Sequence, residues 1–449
     1  MKRVKLTFVY ALMFMCANYS QSELNVSSID SFLNLMEYND RVMGSVNISI
    51  DGETYYQWSG GTAWHLGNDV RDNDGSEIYS IGSISKIFTA VLFYQMVERD
   101  WISHENKLAE FFPDIPNAEL ISMDHLLSHQ SGLFNFTVDS TFLYWKHRDR
   151  SQEEMLELIS SFQPVFKPGT KTDYSNTNYL LLGYIMEQLS GQDLAVLVHE
   201  NIAMPIGLKS TFASPLYADL GLQTHSFIRT MDDWVTYVPP TSRKMAHAAG
   251  GMVSNGVDLG LFMDALFKGE LISHSSLKQM HTTDNELGAG LISIEFKNHM
   301  GFGYYGGIDE YKSFVAYFPK RKMTVSILLN GLNTSFDHIL YNALSACFES
   351  EAQLPEFSGL LPEEGKLRSL TGHFINADST FQARVYVKYG QLGVNINGSE
   401  YLFSEAKSPY FFSDDFSRIR IGFQKNSEGD VKNLVIQMKD MIISLEKRS

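Results

Sequence analysis

A Ser-Ile-Ser-Lys segment at positions 83–86 constrains this chain more than any other feature, because of the sequence on either side of it. A β-rich stretch at residues 46–58 precedes it, and residues 87–97 are apolar with the periodicity of a helix. This order predicts a strand-to-helix connection with Ser83 in the first turn of a buried helix. Residues three positions apart share a helix face, so the Lys86 amine can reach the Ser83 hydroxyl. A serine becomes a nucleophile when a base takes its proton, and first-turn N–H groups can bind an oxyanion.

The tripeptide Tyr174-Ser175-Asn176 is a second candidate for chemistry. A Pro-Gly turn at 168–169 precedes it and an apolar helical stretch at 179–189 follows it. Tyr174 is therefore predicted to lie on a loop at the start of a helix, where its side chain can enter a cleft. The alternative is that Tyr174 packs the loop while Asn176 caps the helix. The upstream Ser-x-x-Lys pattern favours the catalytic interpretation.

Together these motifs resemble the serine β-lactamase and penicillin-binding protein superfamily, in its class C-like branch of esterases, peptidases and β-lactamases. The resemblance covers residues 30 to 350 or so and implies Ser83, Lys86, Tyr174 and Asn176 as catalytic residues. It rests on seven segments in the family's order: Ile-Gly-Ser-Ile-Ser-Lys at 81–86, Asp-His-Leu-Leu-Ser-His-Gln-Ser-Gly-Leu at 124–133, Pro-Gly-Thr at 168–170, Tyr-Ser-Asn at 174–176, Leu-Leu-Gly at 181–183, Pro-Ile-Gly-Leu at 205–208 and Ala-Gly-Gly-Met at 249–252.

The third family motif departs from the usual pattern. Members carry Lys-Thr-Gly or His-x-Gly on a strand beside the nucleophile, whereas this chain has Tyr304, Tyr305 and Gly306, followed by Gly307. The resemblance implies that these four residues bind substrate, with the N–H groups of Ser83 and Gly307 forming the oxyanion hole.

The exchange of a cation for Tyr304 has a chemical consequence. A tyrosine has an ordinary pKa of about 10 and is neutral near pH 7, so it cannot pair with an anionic substrate group. Glu310 adds a negative charge nearby. Both features predict a preference for uncharged substrates. His299 also begins a His-x-Gly sequence, but residues 297–299 are expected to form a hairpin turn instead.

The predicted fold is α/β of the α+β kind: an antiparallel sheet flanked by helices, with a helical lobe over residues 100 to 280 or so. The strands are expected at 46–50, 54–58, 290–296, 301–306, 314–318 and 324–329, and a closing helix at 338–351 with Asp337 as its cap. The hydrolase domain is placed at 23–352 and a linker at 353–365. Residues 366–449 resemble, around Leu370-Thr371-Gly372-His373-Phe374, the small lipocalin-like β-barrel appended to several serine hydrolases.

Residues 1–22 have the pattern of a secretory signal peptide. Lys2, Arg3 and Lys5 precede an apolar run at 6–17, which is too short to span a bilayer. The prediction is an exported protein, periplasmic or extracellular, without a stable membrane span after cleavage. Lipid attachment at Cys16 is disfavoured by the large Met15 before it. Only Cys347 would remain, so no intramolecular disulfide is expected.

Composition excludes several classes of function. The net charge of −16 disfavours nucleic acid as a partner, and 44% hydrophobic residues in 449 are enough for two cores. The chain has no P-loop or dinucleotide fingerprint, so no cofactor is expected. His125 and His129 lie four residues apart without a third ligand nearby, which favours helix and core packing over a metal site.

The predicted reaction is acyl transfer to Ser83, with Lys86 and Tyr174 sharing the role of base and Asn176 orienting lysine and substrate. Which of the two takes the first proton stays open at this point. The substrate is expected to be an ester or a small amide or peptide. One alternative is a β-lactamase or a D-alanyl-D-alanine carboxypeptidase-type penicillin-binding protein, and another is a penicillin-recognising binder without turnover. The oligomeric state is left open.

Overall fold

The structure is a computed structural model that describes residues 24–213, 222–230, 233–281, 287–348, 352–355, 364–376, 379–388, 391–396, 399–403, 405–408, 411–413, 419–426, 429–438 and 441–448. The predicted signal peptide and most of the predicted linker lie outside these ranges. In the described ranges, no helix is both long enough and apolar enough to cross a bilayer.

The helices, in chain order, are α1 (Val26–Tyr38), α2 (Ser85–Glu98), α3 (Met123–Leu127), α4 (Phe142–Trp145), α5 (Gln152–Ser161), α6 (Asn176–Ser190), α7 (Leu194–Val198), α8 (Met204–Ile206), α9 (Arg243–Gly250), α10 (Gly256–Lys268), α11 (His274–His281), α12 (Phe336–Cys347) and α13 (Glu364–Ser369). The strands are β1 (Val42–Ile50), β2 (Glu53–Gly60), β3 (Thr62–Leu66), β4 (Asp69–Asp72), β5 (Tyr79–Ser80), β6 (Phe227–Arg229), β7 (Trp234–Thr236), β8 (Val253–Ser254), β9 (Ile292–Phe296), β10 (His299–Ile308), β11 (Tyr311–Phe318), β12 (Met323–Leu332), β13 (Gly372–Ile375), β14 (Gln382–Lys388), β15 (Gln391–Ile396), β16 (Ser399–Phe403), β17 (Glu405–Ser408), β18 (Phe411–Ser413), β19 (Ile419–Lys425), β20 (Val431–Met438) and β21 (Met441–Arg448).

The main sheet has the antiparallel order β2-β1-β12-β11-β10-β9. The short strand β6 pairs in parallel with β12, and β7 pairs antiparallel with β6. The six predicted strands are all present, which confirms the predicted fold class. The sequence-based bounds of β10 were too short, because this strand begins at His299 and ends at Ile308. The hairpin turn lies at Lys297 and Asn298, and Lys297 has the positive φ of 53° that such a turn uses.

Each face of the main sheet covers a separate hydrophobic core. Side chains alternate along a strand, so Val315 and Tyr317 of β11 face one core while Phe314 and Ala316 face the other. The first core contains α2, α6 and α10, and the second contains α1 and α12. The closing helix begins at Phe336, two residues before the predicted start, so the cap position belongs to Ser335 instead of Asp337.

Helix α2 lies in the middle of the first core and is buried almost all round, which is why its sequence is nearly continuous in apolar residues. Phe88, for example, stacks on Phe262 of α10 with ring centroids 3.8 Å apart. The polar residues of the first turn of α2 are therefore buried too, and they need partners from neighbouring elements.

The C-terminal part is a nine-stranded antiparallel sheet of order β16-β15-β14-β13-β21-β20-β19-β18-β17, which curls into a half-barrel. Its concave side encloses a third core, to which Leu367 of α13, Phe374, Leu392 and Leu434 contribute. This agrees with the predicted small β domain. The domain boundaries stay a prediction.

We expect a chain ending at Pro355 to fold without the C-terminal sheet, because the third core shares no residue with the other two. The truncation keeps the last contacts of the main domain, where the N–H of Ala352 donates to Ser28 and that of Gln353 to Asn342. Cooperative thermal unfolding, followed by circular dichroism, would support two folding units. An insoluble or non-cooperative product would mean that the chain folds as one unit.

Candidate active site

Ser83 lies in a 3₁₀ turn, Gly82–Ile84, that leads directly into α2. Gly82 has a φ of 51°, and a Cβ atom there would lie 2.6 Å from the backbone nitrogen of Gly307. Only glycine combines that backbone conformation with such a close approach. The turn therefore holds Ser83 close to β10, and Ser83 and Gly307 line the same cavity.

Lys86 is fully buried one turn further along α2. Its Nζ atom lies 3.1 Å from Ser83 Oγ, 2.8 Å from Asn176 Oδ1 and 2.6 Å from the carbonyl oxygen of Ala249. Burial lowers the pKa of Lys86 well below its usual value. A neutral amine has two N–H bonds and one lone pair. In that form Asn176 and Ala249 would accept the two N–H bonds, which leaves the lone pair for the Ser83 hydroxyl.

Tyr174 approaches Ser83 from the loop before α6. Its hydroxyl lies 2.6 Å from Ser83 Oγ and 3.2 Å from Asn176 Oδ1. Burial raises the pKa of Tyr174 to about 12, so the phenol keeps its proton at neutral pH. This state suits a proton donor better than a first base. Burial acts in the opposite sense on Lys86, because it lowers the pKa of the amine and so favours the neutral form.

Asn176 is the first residue of α6, and Ser175 occupies the cap position without a side-chain capping bond. The Asn176 side chain points into the site instead, where its Nδ2 atom donates to Thr137 Oγ1 over 3.0 Å. That bond fixes the orientation of the amide and leaves Oδ1 for Lys86. The alternative role of Asn176 as a helix cap is thus not what the structure shows.

His129 supports the site in a way that the sequence did not indicate. The residue is buried, as expected, and its ring packs between Tyr174 and Tyr179 at centroid distances of 4.7 and 5.2 Å. Its Nδ1 atom accepts the N–H of Ser175. Burial lowers the pKa of His129 to about 3, so its ring stays neutral. The only sequence signal was its place in the segment 124–133.

The residues of the third motif divide between the two faces of β10. Tyr304 is buried beside Tyr174 and Tyr179, and burial raises its pKa far above the usual value. A Cβ atom on Gly306 would lie 2.1 Å from the carbonyl oxygen of Ile81, so only glycine fits there. Tyr305 points the other way and is 41% exposed.

Tyr305 therefore does not line the cavity that contains Ser83, contrary to its predicted place in the substrate site. It lines a second cavity of about 290 Å³, together with Asp337 and with Lys388 and Glu400 of the C-terminal sheet. The reason is the alternation of side chains along a strand, which sends neighbouring residues to opposite faces.

The cavity at Ser83 has a volume of about 340 Å³. Strand β9 pairs only with residues 299–303 of β10, and Gly307 and Ile308 in the second half of β10 line the cavity. The rest of the wall is largely apolar and comes from the helical lobe: Phe136, Phe142, Leu143, Met245, Ala246 and Ala249.

An ion pair that the sequence did not indicate lies in the cavity wall. Lys146 of the helical lobe contacts Asp309, just after β10, at 2.8 Å, and both side chains are at most 10% exposed. Lys146 also donates to Tyr237, and Asp309 accepts from Thr241. The pair joins the helical lobe to the sheet across one end of the cleft.

Lys312 is a further cation on the rim of the cavity. It lies opposite Gly307 in the β10–β11 register, and its Nζ atom is 4.0 Å from where a Cβ atom on Gly307 would be.

His299 lies elsewhere, stacked on Phe348 in the second core. Among the described residues, no group of three or more His, Cys, Asp or Glu side chains could hold a metal.

Comparison with known proteins agrees with this fold. The family model described as beta-lactamase matches residues 32–347. The penicillin-binding protein PbpX of Bacillus subtilis is 22% identical over 275 residues, which cover 59% of this chain and 65% of PbpX. The chain thus spans slightly less than two thirds of that relative.

Two solved structures show the fold at 20% identity. The D-amino acid amidase of Ochrobactrum anthropi SV3, complexed with D-phenylalanine, superposes with a TM-score of 0.64 and covers 73% of this chain and 100% of its own. The octameric penicillin-binding protein homologue of Pyrococcus abyssi has a TM-score of 0.63 and covers 94% of this chain and 100% of its own. The chain therefore belongs to the β-lactamase family.

Proposed function

We propose that the protein hydrolyses small esters or amides, including short peptides, through an acyl-enzyme on Ser83. One observation carries this proposal: Ser83 Oγ lies within hydrogen-bond distance of both Lys86 Nζ and Tyr174 Oη. The largely apolar cavity of about 340 Å³ suits a small apolar acyl group. The structural relative described as a D-amino acid amidase supports the same class of compound.

In the proposed reaction, neutral Lys86 takes the Ser83 proton as Oγ attacks the substrate carbonyl. The N–H groups of Ser83 and Gly307 then stabilise the negative oxygen of the tetrahedral intermediate. Tyr174 gives its proton to the departing oxygen or nitrogen, and the Lys86 ammonium returns a proton to Tyr174. Water attacks the acyl-enzyme by the same steps in reverse, and Ser83 regains its proton.

A β-lactamase or carboxypeptidase activity is the second candidate, and Lys312 is the observation that favours it. An ammonium group at the cavity rim could hold a substrate carboxylate that buried, neutral Tyr304 cannot. A binder without turnover is less well supported, since Ser83, Lys86, Tyr174 and Asn176 lie together in contact. Export to the periplasm or the medium stays part of the proposal.

We expect a serine-directed fluorophosphonate to add one equivalent of mass to the wild-type protein and none to Ser83→Ala, because Ser83 carries the only hydroxyl contacted by Lys86 and Tyr174 in the described residues. Intact-mass spectrometry measures the adduct. Ser76→Ala removes an exposed serine and serves as the control, which should label fully. Equal labelling of wild type and Ser83→Ala would contradict the serine hydrolase proposal.

We expect Lys86→Met and Tyr174→Phe each to lower kcat for a chromogenic ester by about 10² or more, the usual scale for a lost proton-transfer group. The exposed residues Lys320 and Tyr55 provide the matched controls Lys320→Met and Tyr55→Phe. Normal turnover in both site variants would show that the base has been misassigned.

The wild-type rate should rise with pH as Lys86 loses its proton, at a pH well below the usual pKa of a lysine, because burial disfavours the ammonium form. Below that pH the lysine is charged and cannot accept the Ser83 proton. Tyr174, with its pKa raised to about 12, should not impose a loss of rate at moderately alkaline pH. A kcat/KM profile that falls between pH 8 and pH 10 or so, where an ordinary tyrosine begins to ionise, would contradict this assignment.

For substrate choice, we expect N-acetyl-D-alanyl-D-alanine amide to be hydrolysed faster than the free acid, because Tyr304 offers no positive charge. Lys312→Met should then leave the ratio of the two kcat/KM values unchanged. Faster hydrolysis of the acid, lost by about 10-fold or more in Lys312→Met, would favour the carboxypeptidase alternative, since a charge-assisted bond is worth that much.

A further inference from the structure

The backbone of His247 is strained next to the proposed active site. Its φ of 40° and ψ of −133° interrupt α9, and a residue with a side chain adopts that conformation only at a cost that glycine escapes. Strain of this kind persists only where the surroundings hold it in place. The contacts of the His247 side chain therefore hold its backbone in this conformation.

Three residues of α6 surround the His247 side chain. Its Nε2 atom lies 3.2 Å from Glu187 Oε1, and both side chains are at most 21% exposed. Gly183, one turn earlier, makes room for the ring, since a Cβ atom there would lie 2.7 Å from His247 Nδ1. The ring also packs on Tyr184, with centroids 5.1 Å apart.

The strained residue directs the next two carbonyl groups onto α2. The carbonyl of Ala248 accepts the hydroxyl of Thr89 over 2.8 Å, and the carbonyl of Ala249 accepts Lys86 Nζ over 2.6 Å. The carbonyl of His247 itself accepts the N–H of Gly251 over 2.7 Å, which closes the turn. The orientation of the Ala249 carbonyl thus depends on the backbone angles at His247.

We propose that His247, held by Glu187, is a positioning residue that keeps the Ala249 carbonyl on Lys86, so that the lysine lone pair faces Ser83. This inference rests on the proposed function of Lys86 as a base. Helix α6 would then supply both supports of the lysine: Asn176 at its start accepts one N–H directly, and Glu187 near its end fixes the other acceptor through His247.

The first test compares His247→Ala with His247→Gly in the full-length chain. Both changes remove the imidazole, but only glycine adopts the observed φ and ψ without strain. We expect Ser83 labelling by fluorophosphonate to slow by about tenfold or more in His247→Ala, since small misplacements at a reacting group are costly. In His247→Gly the rate should stay within about threefold of wild type, because the turn has no strain to relax.

A second pair of variants tests the contact between Glu187 and His247. Glu187→Gln keeps an oxygen acceptor for His247 and for the N–H of Leu194, whereas Glu187→Ala removes it. We expect Glu187→Gln to label nearly as fast as wild type and Glu187→Ala to label as slowly as His247→Ala. Circular dichroism melting identifies any variant that is slow only because it is unfolded.

The pH profile of labelling separates positioning from a merely structural role. The Ala249 carbonyl stabilises the Lys86 ammonium more than the neutral amine, so withdrawal of this carbonyl should lower the pKa of Lys86. The part of the profile in which the labelling rate rises with pH, here called the acidic limb, should then move to lower pH. The titratable groups facing Lys86 are Tyr174, Tyr179 and His129, and those facing His247 are Glu187 and Tyr184. None of the first three is changed in these variants.

The inference is overturned if His247→Ala labels like wild type, if His247→Gly is as slow as His247→Ala, or if the acidic limb stays in place in a folded, slow variant. These outcomes differ from a failure of the proposed function, in which wild-type protein does not label or labels equally after Ser83→Ala. A slow His247→Ala with a displaced limb, and recovery in His247→Gly, would support the inference.

Discussion

The burial of Lys86 is the constraint on which the rest of the site depends. An ammonium group in an apolar core loses its hydration, which costs several kcal/mol per ion unless the group becomes neutral. Here the lysine is fully buried within α2, and Asn176 and Ala249 accept its hydrogen bonds. The same burial lowers the pKa of Lys86 and so favours the neutral amine, the form that the proposed base role requires. The free-energy cost of dehydrating the ammonium group is therefore what favours the neutral amine that the proposed reaction needs.

The close packing around this lysine explains several glycines in the family motifs. Gly82 and Gly306 allow the turn at Ser83 to lie against β10, and Gly183 leaves space for His247 beneath α9. A Cβ atom at any of the three would overlap neighbouring atoms at less than 3 Å. The turn at Ser83 thus lies in close contact with the backbone of β10, and α6 lies equally close to α9. Such close packing fixes the positions of the polar atoms in the site.

The substrate side of the cleft differs from the arrangement that the resemblance implied. The usual cation of the third motif is replaced by Tyr304, which is buried behind the site, and Tyr305 faces a different cavity. The charged groups at the cavity are instead the Lys146–Asp309 pair and Lys312. The ion pair is internally neutral and joins two lobes, so Lys312 is the residue through which a charged substrate could be recognised. Under the carboxypeptidase or β-lactamase alternative, selectivity would depend on β11 as well as on β10.

Local sequence patterns determined the parts of this protein that depend on short-range chemistry. The alternating strands around the hairpin turns indicated the fold class. The spacing of Ser83 and Lys86, and the Tyr-Ser-Asn motif with Tyr174 and Asn176, indicated four residues of the proposed site once the family resemblance was added. Only the tertiary structure decided the contacts of His129, His247 and Asp309, because their partners lie far away in the chain. It also decided that Tyr305 faces away from Ser83, since the face of a strand depends on register, which a motif match does not specify.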